Sequence, residues 1–149
     1  MKIKLLLPAV MIAYAMSVMI TPMIAFTQAA EPYKVEFYYK VKWGYLDEFM
    51  TLYKKNHYPI LKELRKRGEI LGMEAAYPLN HAPESSRWDF RYTIIFKNFE
   101  ASRNKPLSDA IALQLYPDQA VFRMEEQRRF EILIEHTDVP VREEDPGEW

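Results

Sequence analysis

The segment 87-RWDFRYTIIFK-97 decides the fold class, because apolar and polar side chains alternate along it. A period of two residues predicts a β-strand that turns one face to a core and the other to solvent or a partner. The apolar set consists of Trp88, Phe90, Tyr92, Ile94 and Phe96. The other set consists of Asp89, Arg91, Thr93 and Ile95.

Three more segments predict strands. The segment 33-YKVEFYYKVK-42 alternates in the same way, and its apolar face carries Tyr33, Val35, Phe37, Tyr39 and Val41. The segment 70-ILGMEAAYPL-79 predicts a strand with Leu71 on its apolar side and Pro78 near an edge or a bulge. The segment 137-TDVPVRE-143 predicts a short last strand, which Pro140 would restrict to a sheet edge.

Helical signals fill the intervals between these strands. After Gly44, the carboxylates of Asp47 and Glu48 suit the first turn of a helix, which should run to about Arg67 and end at Gly68.

Further along the chain we predict three more helices. The first is a short helix capped by Asn98, the second is capped by Ser108, and the third is longer and covers residues 117–136.

The resulting order is strand, helix, strand, strand, helices, strand. It predicts an α+β fold, a ferredoxin-like split βαβ antiparallel sheet with helices on one face. Over residues 33–142 the chain resembles the dimeric α/β barrels, which include antibiotic-biosynthesis-type monooxygenases and NIPSNAP-like proteins. The segments that carry this resemblance are "YYKVKWGYLDEFMTLYKKNH", "RWDFRYTIIFKNFEA" and "HTDVPVR".

The resemblance implies a homodimer in which two sheets form one barrel and ligands lie between helices and sheet. Haem-degrading members of this fold use an asparagine in the first strand and a histidine on the second helix. Residues 33–42 contain no asparagine, so we expect neither that activity nor a cofactor.

Residues 1–30 predict an export signal, with Lys2 and Lys4 before an apolar run and cleavage after Ala29 or Ala30. The apolar run is also long enough to act as an uncleaved anchor, which would be the only membrane contact of the protein. Either outcome places the domain, residues 31–142, in the periplasm or outside the cell. Residues 143–149 are predicted to form a loose tail.

Composition excludes several kinds of function. The chain has no cysteine, and therefore no disulfide or thiolate chemistry. Its 20 basic and 21 acidic residues include two lysines in the leader, so the domain is slightly acidic and offers no basic field for nucleic acid. The three histidines, His57, His81 and His136, have no short ligand spacing, and we predict no metal site.

The candidate site centres on His57, which helical phasing places with Tyr53 on the stripe that faces the sheet. Pro59 has no N–H for the carbonyl of Lys55, so the helix should bend there and could open a cleft. His57 could then carry protons together with Tyr53, or it could be a buried neutral imidazole satisfied by a tyrosine or by the freed carbonyl.

The aromatic strand residues leave a similar choice. They could form a slot for a flat apolar molecule, or they could simply fill the core. The predicted ligand-binding residues are Phe37, Tyr39, Trp88, Phe90 and Tyr92.

The polar side of the same strands predicts a network of paired charges in the dimer interface, in preference to a catalytic acid–base pair. Its members are Glu36, Lys40, Glu74, Asp89 and Arg91.

Two functions follow as hypotheses. The first is an exported dimeric module that binds a small apolar or aromatic molecule or supports another protein. The second is a cofactor-independent monooxygenase or isomerase that acts on an aromatic compound.

Overall fold

The computed structural model describes residues 31–149, so the predicted leader lies outside the described residues. Four strands form a single antiparallel sheet. They are β1 (Tyr33–Val41), β2 (Ile70–Ala76), β3 (Phe90–Phe96) and β4 (Leu133–Val141). Their spatial order is β2-β3-β1-β4, which makes β1 and β3 the central strands. Pro140 therefore lies in an edge strand, as predicted.

The connecting segments are mostly helical. Their elements are α1 (Leu46–Leu52), a π-helical turn (Tyr53–His57), α2 (Tyr58–Lys66), α3 (Phe99–Ser102), α4 (Lys105–Leu115) and α5 (Gln119–Glu131). A 3₁₀ turn (Pro146–Glu148) follows β4. Side chains from these helices and from one sheet face form a single apolar core. This arrangement confirms the predicted ferredoxin-like α+β fold. Within residues 31–149, no helix combines the length and the apolarity that crossing a membrane requires.

The core lies against the odd-numbered face of β1. Val35, Tyr39 and Val41 are buried, as the alternation predicts. Tyr39 stands opposite Phe90 of β3 and His136 of β4, and directly opposed residues project to the same face of a sheet. This register brings His136 of the edge strand β4 to the helix side of the sheet, next to the aromatic core.

The first long helix ends where its sequence predicts. Gly68 has a φ of 75°, a left-handed conformation that glycine adopts without a steric penalty. Its N–H donates to the carbonyl of Arg65, and the N–H of Glu69 donates to the carbonyl of Leu64. These two bonds form a Schellman motif that caps the helix.

The last helix is shorter than predicted. It ends at Glu131, and the chain enters β4 at Leu133, so the prediction of helix up to residue 136 was wrong. The segment gains a full ladder with β1, in which Lys40 lies opposite Glu135 and Lys34 opposite Val141. Tertiary pairing of this kind overrides local helix propensity.

Two further features differ from prediction, the orientation of side chains in β2 and the start of α4. The register of β2 shifts between Ile70 and Gly72, so Ile70 enters the core while Leu71 is 53% exposed, opposite to the predicted orientation. Helix α4 begins before Ser108, because the side chain of Asn104 accepts from the N–H of Leu107 at 3.2 Å and acts as the cap. The cap predicted at Asn98 is confirmed.

Candidate functional site

The helix that carries His57 is interrupted by a π-helical turn at the position where Pro59 was predicted to disturb it. Within this turn the N–H of Tyr58 donates to the carbonyl of Tyr53, five residues earlier. Pro59 leaves the carbonyl of Lys55 without its usual helical donor. A side chain from another helix replaces that donor.

The hydroxyl of Tyr116 lies 2.8 Å from the carbonyl oxygen of Lys55 and 2.9 Å from that of Asn56. Asn56 is itself buried, and its Nδ2 donates to Oε2 of Glu125 at 2.9 Å. Hydrogen bonds from Lys55 and Asn56 hold the pKa of Glu125 below its usual range. Tyr116, directly after α4, and Glu125 of α5 therefore hold the outer side of the turn that carries Tyr53 and His57.

Between this turn, the sheet and α5 lies a cavity of about 210 Å³, which we call the histidine cavity. Its wall is mainly aromatic and aliphatic, with an arginine and two histidines among the polar groups. The lining residues are Phe37, Tyr39, Tyr53, His57, Leu61, Leu64, Ile94, Phe96, Ala101, Ser102, Ser108, Arg129, Phe130 and His136.

His57 is half-buried and lines this cavity, with its ring centroid 5.0 Å from that of Tyr53. Burial lowers the pKa of His57 to about 3, and the positive charge of Arg129, with that of His136 when it is protonated, acts in the same direction. At neutral pH its imidazole is uncharged and can both donate and accept one hydrogen bond.

His136 approaches the cavity from β4. Its ring stacks on Tyr39, with centroids 4.4 Å apart and planes 13° apart. Its Nε2 lies 3.1 Å from Oδ1 of Asp138. Burial lowers the pKa of His136, and Arg129 adds to this effect while Asp138 opposes it. Sequence analysis had placed this residue at a helix end, and the structure corrects that position.

Arg129 supplies the buried charge of the cavity and is only 3% exposed. Its Nε and Nη2 donate to the two carboxylate oxygens of Glu126 at 3.0 and 2.7 Å. Its guanidinium also lies against Phe130, 4.6 Å from the ring centroid. Because Glu126 occupies one edge of the guanidinium, Nη1 on the other edge has no hydrogen-bond partner among residues 31–149.

The tyrosines of the core remain protonated. Burial raises the pKa of Tyr39 and of Tyr53 far above the ordinary value, and it raises the pKa of Tyr92 to about 12. Their hydroxyls are therefore neutral hydrogen-bonding groups over the whole physiological pH range.

A second hollow, of about 270 Å³, lies on the other side of Tyr53, and we call it the tyrosine groove. Its lining residues are Met50, Tyr53, Lys54, Tyr58, Met73, Ala75, Tyr77, Phe90 and Tyr92. The residues predicted to bind one ligand are thus divided. Phe37 and Tyr39 line the histidine cavity, whereas Phe90 and Tyr92 line the tyrosine groove.

Trp88 belongs to neither hollow, which corrects its predicted place on the apolar face. It precedes β3, so strand alternation does not extend to it. Its ring packs edge-on against Tyr38 on the polar face, with centroids 5.8 Å apart.

The five residues predicted to form an interface network occupy different places. Arg91 lies 3.5 Å from Glu36 across the polar face, and the Nε of Arg91 is buried without a partner among the described residues. Lys40 pairs with a loop residue, Glu84, at 3.1 Å. Glu74 is exposed.

Asp89 has a structural role in this chain. Its Oδ2 accepts from the N–H of Val41 at 2.8 Å and also pairs with buried Arg87. Nη1 and Nη2 of Arg87 both donate to the carbonyl of Val41 at 3.2 Å. This cluster secures the end of β1, and sequence analysis did not single out Arg87.

Sequence analysis also missed Arg129. A signal for it exists, because Phe122, Glu126 and Arg129 recur at helical spacing and α5 then presents an ion pair on its inner face. No group of three or more potential metal ligands occurs within residues 31–149, and His81 lies in an exposed loop away from His57.

A larger hollow, of about 490 Å³, lies between the two ends of the described chain. It is lined by exposed or half-buried residues, among them Glu31, Lys34 and Arg142, and contains no histidine. We therefore place the candidate site in the histidine cavity.

Known proteins resemble this chain in structure only. No family model matches it, and no curated protein matches it in sequence. A dimeric ferredoxin-like protein from an uncultured marine organism is 8% identical with a TM-score of 0.51, covering 76% of this chain and 90% of that protein. A hypothetical protein of Arabidopsis thaliana is 10% identical with a TM-score of 0.52, covering 80% and 95%.

A NIPSNAP family protein from Agrobacterium tumefaciens is 13% identical with a TM-score of 0.48, covering 80% of this chain and 91% of that protein. The first two similarities establish a ferredoxin-like fold, which confirms at the level of fold the resemblance stated from the sequence. At these identities they say nothing of activity.

Proposed function

We propose that this protein is a binding module for a small, flat, aromatic molecule, which it holds in the histidine cavity. The observation that carries the proposal is the cavity itself, a space of about 210 Å³ with aromatic walls and a few convergent polar groups. Ligand sites in proteins combine apolar walls and a few orienting polar groups in this way.

The alternative, a monooxygenase or isomerase in which His57 moves protons, has weaker support. His57 and Tyr53 are adjacent, as that mechanism needs. A general base works best when its pKa is near the working pH. With a pKa of about 3, His57 would accept a proton poorly at neutral pH, whereas it can serve a bound ligand as a neutral hydrogen-bonding group.

Two further features complete the proposal. The protein forms a homodimer through the polar sheet face, where Arg91 and Glu36 lie half-buried and 3.5 Å apart. One structural neighbour with the same fold is described as dimeric, which supports this assembly. Residues 1–30 direct the domain out of the cytoplasm, as a cleaved signal or as an anchor.

Ligand retention tests the binding function. The purified full chain is analysed by native mass spectrometry beside His57→Ala and a matched variant of an exposed histidine, His81→Ala. We expect a small aromatic molecule to be retained by the wild type and by His81→Ala, and lost from His57→Ala. Equal retention by all three proteins would remove His57 from the site.

Assembly and export need separate measurements. Light scattering at micromolar concentration should give twice the mass of one chain, and a monomer would contradict the barrel.

Cell fractionation with intact-mass measurement should find the protein outside the cytoplasm, and an uncleaved cytoplasmic chain would contradict export.

A further inference from the structure

We infer that the ligand of the histidine cavity is an aromatic carboxylate with a single ring, bound with its carboxylate on Nη1 of Arg129. This inference rests on the proposed binding function and adds the chemical class of the ligand. It follows from four properties of the site: the geometry of Arg129, the charge around it, the neutral groups of the wall, and the size of the cavity.

The geometry leaves one edge of Arg129 available. Glu126 binds Nε and Nη2 at 3.0 and 2.7 Å, which is the bidentate pairing that guanidinium and carboxylate prefer. Nη1 lies on the opposite edge and retains its two N–H donors. Nη1 is not one of the buried side-chain atoms that lack a partner within residues 31–149, so it stays accessible from the cavity that Arg129 lines. A ligand oxygen in the cavity can therefore satisfy it.

The charge of the surroundings favours an anion over a cation. Besides the two histidines, Arg129 is the only basic residue in the described wall of this cavity, and no carboxylate of residues 31–149 lines it. Asp138 and Glu126 are the nearby carboxylates, and each is already engaged, with His136 and Arg129 respectively. A ligand carboxylate would meet donors that are otherwise unsatisfied, whereas a ligand ammonium would meet a guanidinium.

The neutral groups of the wall suit the same ligand. Uncharged His57 can donate one N–H to a carboxylate oxygen, and the Ser108 hydroxyl, which has only a long 3.4 Å contact with the carbonyl of Asn104, can reorient to donate another. The rings of Phe37, Tyr39 and Phe96 supply flat surfaces for the aromatic part.

The cavity volume matches a ligand with one ring. A cavity of about 150 Å³ in another protein binds benzene. The histidine cavity, at about 210 Å³, has room for a benzene ring and a carboxylate but is smaller than the 300–1,000 Å³ typical of larger ligands.

Calorimetric titration of the full chain with three probes of equal size tests the ligand class. The probes are benzoate, neutral benzamide and cationic benzylamine, at pH 7 and fixed ionic strength. We expect benzoate to bind about tenfold or more tightly than benzamide, because its carboxylate makes a charge-assisted bond to a buried arginine, and benzylamine to bind more weakly than both.

A variant pair then assigns the effect to Arg129. The double change Arg129→Gln with Glu126→Gln removes the buried ion pair without leaving an unpaired charge. Its control is Arg128→Gln with Glu48→Gln, which removes the neighbouring exposed pair, joined at 2.6 and 3.0 Å. We expect the first variant to bind benzoate and benzamide equally, and the control to keep the wild-type preference.

The outcomes separate the two proposals. Equal affinity of the wild type for benzoate and benzamide would overturn the carboxylate inference and leave the binding function in place. Absence of binding by all three probes would overturn both. If the first double variant fails to fold, the probe series on the wild type still decides the ligand class.

Discussion

The histidine cavity and the tyrosine groove are neighbours of similar size, about 210 and 270 Å³, and Tyr53 belongs to both walls. Both are rich in aromatic side chains. They differ in their polar groups, because α5 and β4 bring Arg129 and His136 only to the first, whereas the charged residue of the groove is exposed Lys54. Aromatic side chains thus line both hollows and do not distinguish them. The buried polar groups make only the histidine cavity selective for a particular ligand.

Truncation of Tyr53, which lies between the two hollows, should have the largest effect on stability. Tyr53 is 2% exposed and packs against Tyr39, Phe90 and Tyr92. We expect Tyr53→Ala to lower the free energy of unfolding by about 3–5 kcal/mol, because it joins two hollows into one large void. Urea denaturation measures the loss.

The control for this change is Tyr77→Ala, which alters the groove alone. Tyr77 is 48% exposed, so its truncation should cost less than about 1.5 kcal/mol. Similar losses in both variants would show that Tyr53 is not the element that separates the two hollows.

Filling each hollow tests which one binds the ligand. Ser108→Phe places a ring in the histidine cavity and should weaken benzoate binding about 100-fold, or about 2.7 kcal/mol. Ala75→Phe places the same ring in the tyrosine groove, and benzoate affinity should stay within about twofold. The reverse pattern, measured by calorimetry, would assign the site to the groove.

The neutral state of His57 should appear in the dependence of stability on pH. Unfolded histidine takes up a proton near pH 6.5, whereas folded His57 does so only near pH 3. Between these values the unfolded chain binds more protons, so stability falls as the pH falls. His57 alone should lower the free energy of unfolding by about 2 kcal/mol between pH 7 and pH 5.

Denaturation of His57→Gln at both pH values isolates this contribution. The variant should lose about 2 kcal/mol less than the wild type over the same interval, while His81→Gln, altered in an exposed loop, should lose as much as the wild type. A wild-type slope in His57→Gln would mean that burial does not hold this imidazole neutral.

The smallest expected loss of stability follows from removing the Tyr116 hydroxyl, which supports the π-helical turn. Tyr116→Phe removes the hydroxyl that lies near the carbonyls of Lys55 and Asn56 and should cost about 1 kcal/mol of stability. Tyr33→Phe removes a tyrosine hydroxyl for which no hydrogen bond is found among residues 31–149, and should change stability by less than about 0.5 kcal/mol.

Titration of the histidine ring protons by NMR extends this last test to the site. In Tyr116→Phe the pKa of His57 should move up toward its ordinary value, because a loosened turn admits water to the histidine cavity. An unchanged His57 titration would show that Tyr116 stabilises the helix without orienting the site.

Local patterns account for the parts of the fold that were predicted correctly. Alternation in residues 33–42 and 87–97 predicted two strands, which lie at the centre of the sheet, and Gly68 marked a helix end. The failures occurred where a distant partner decided the outcome. Residues 133–136 form strand in place of helix because they pair with β1, and Leu71 faces outward because β2 contains a register shift.

Local sequence was enough to place His57 on the inner stripe of a helix, beside the irregularity that Pro59 imposes, because both depend on residues within one or two helical turns. Only the tertiary structure brought Arg129 and His136, more than 70 residues later in the chain, to the same cavity. Helix α5 and edge strand β4 deliver them through packing and register, and both lie beyond the reach of local periodicity.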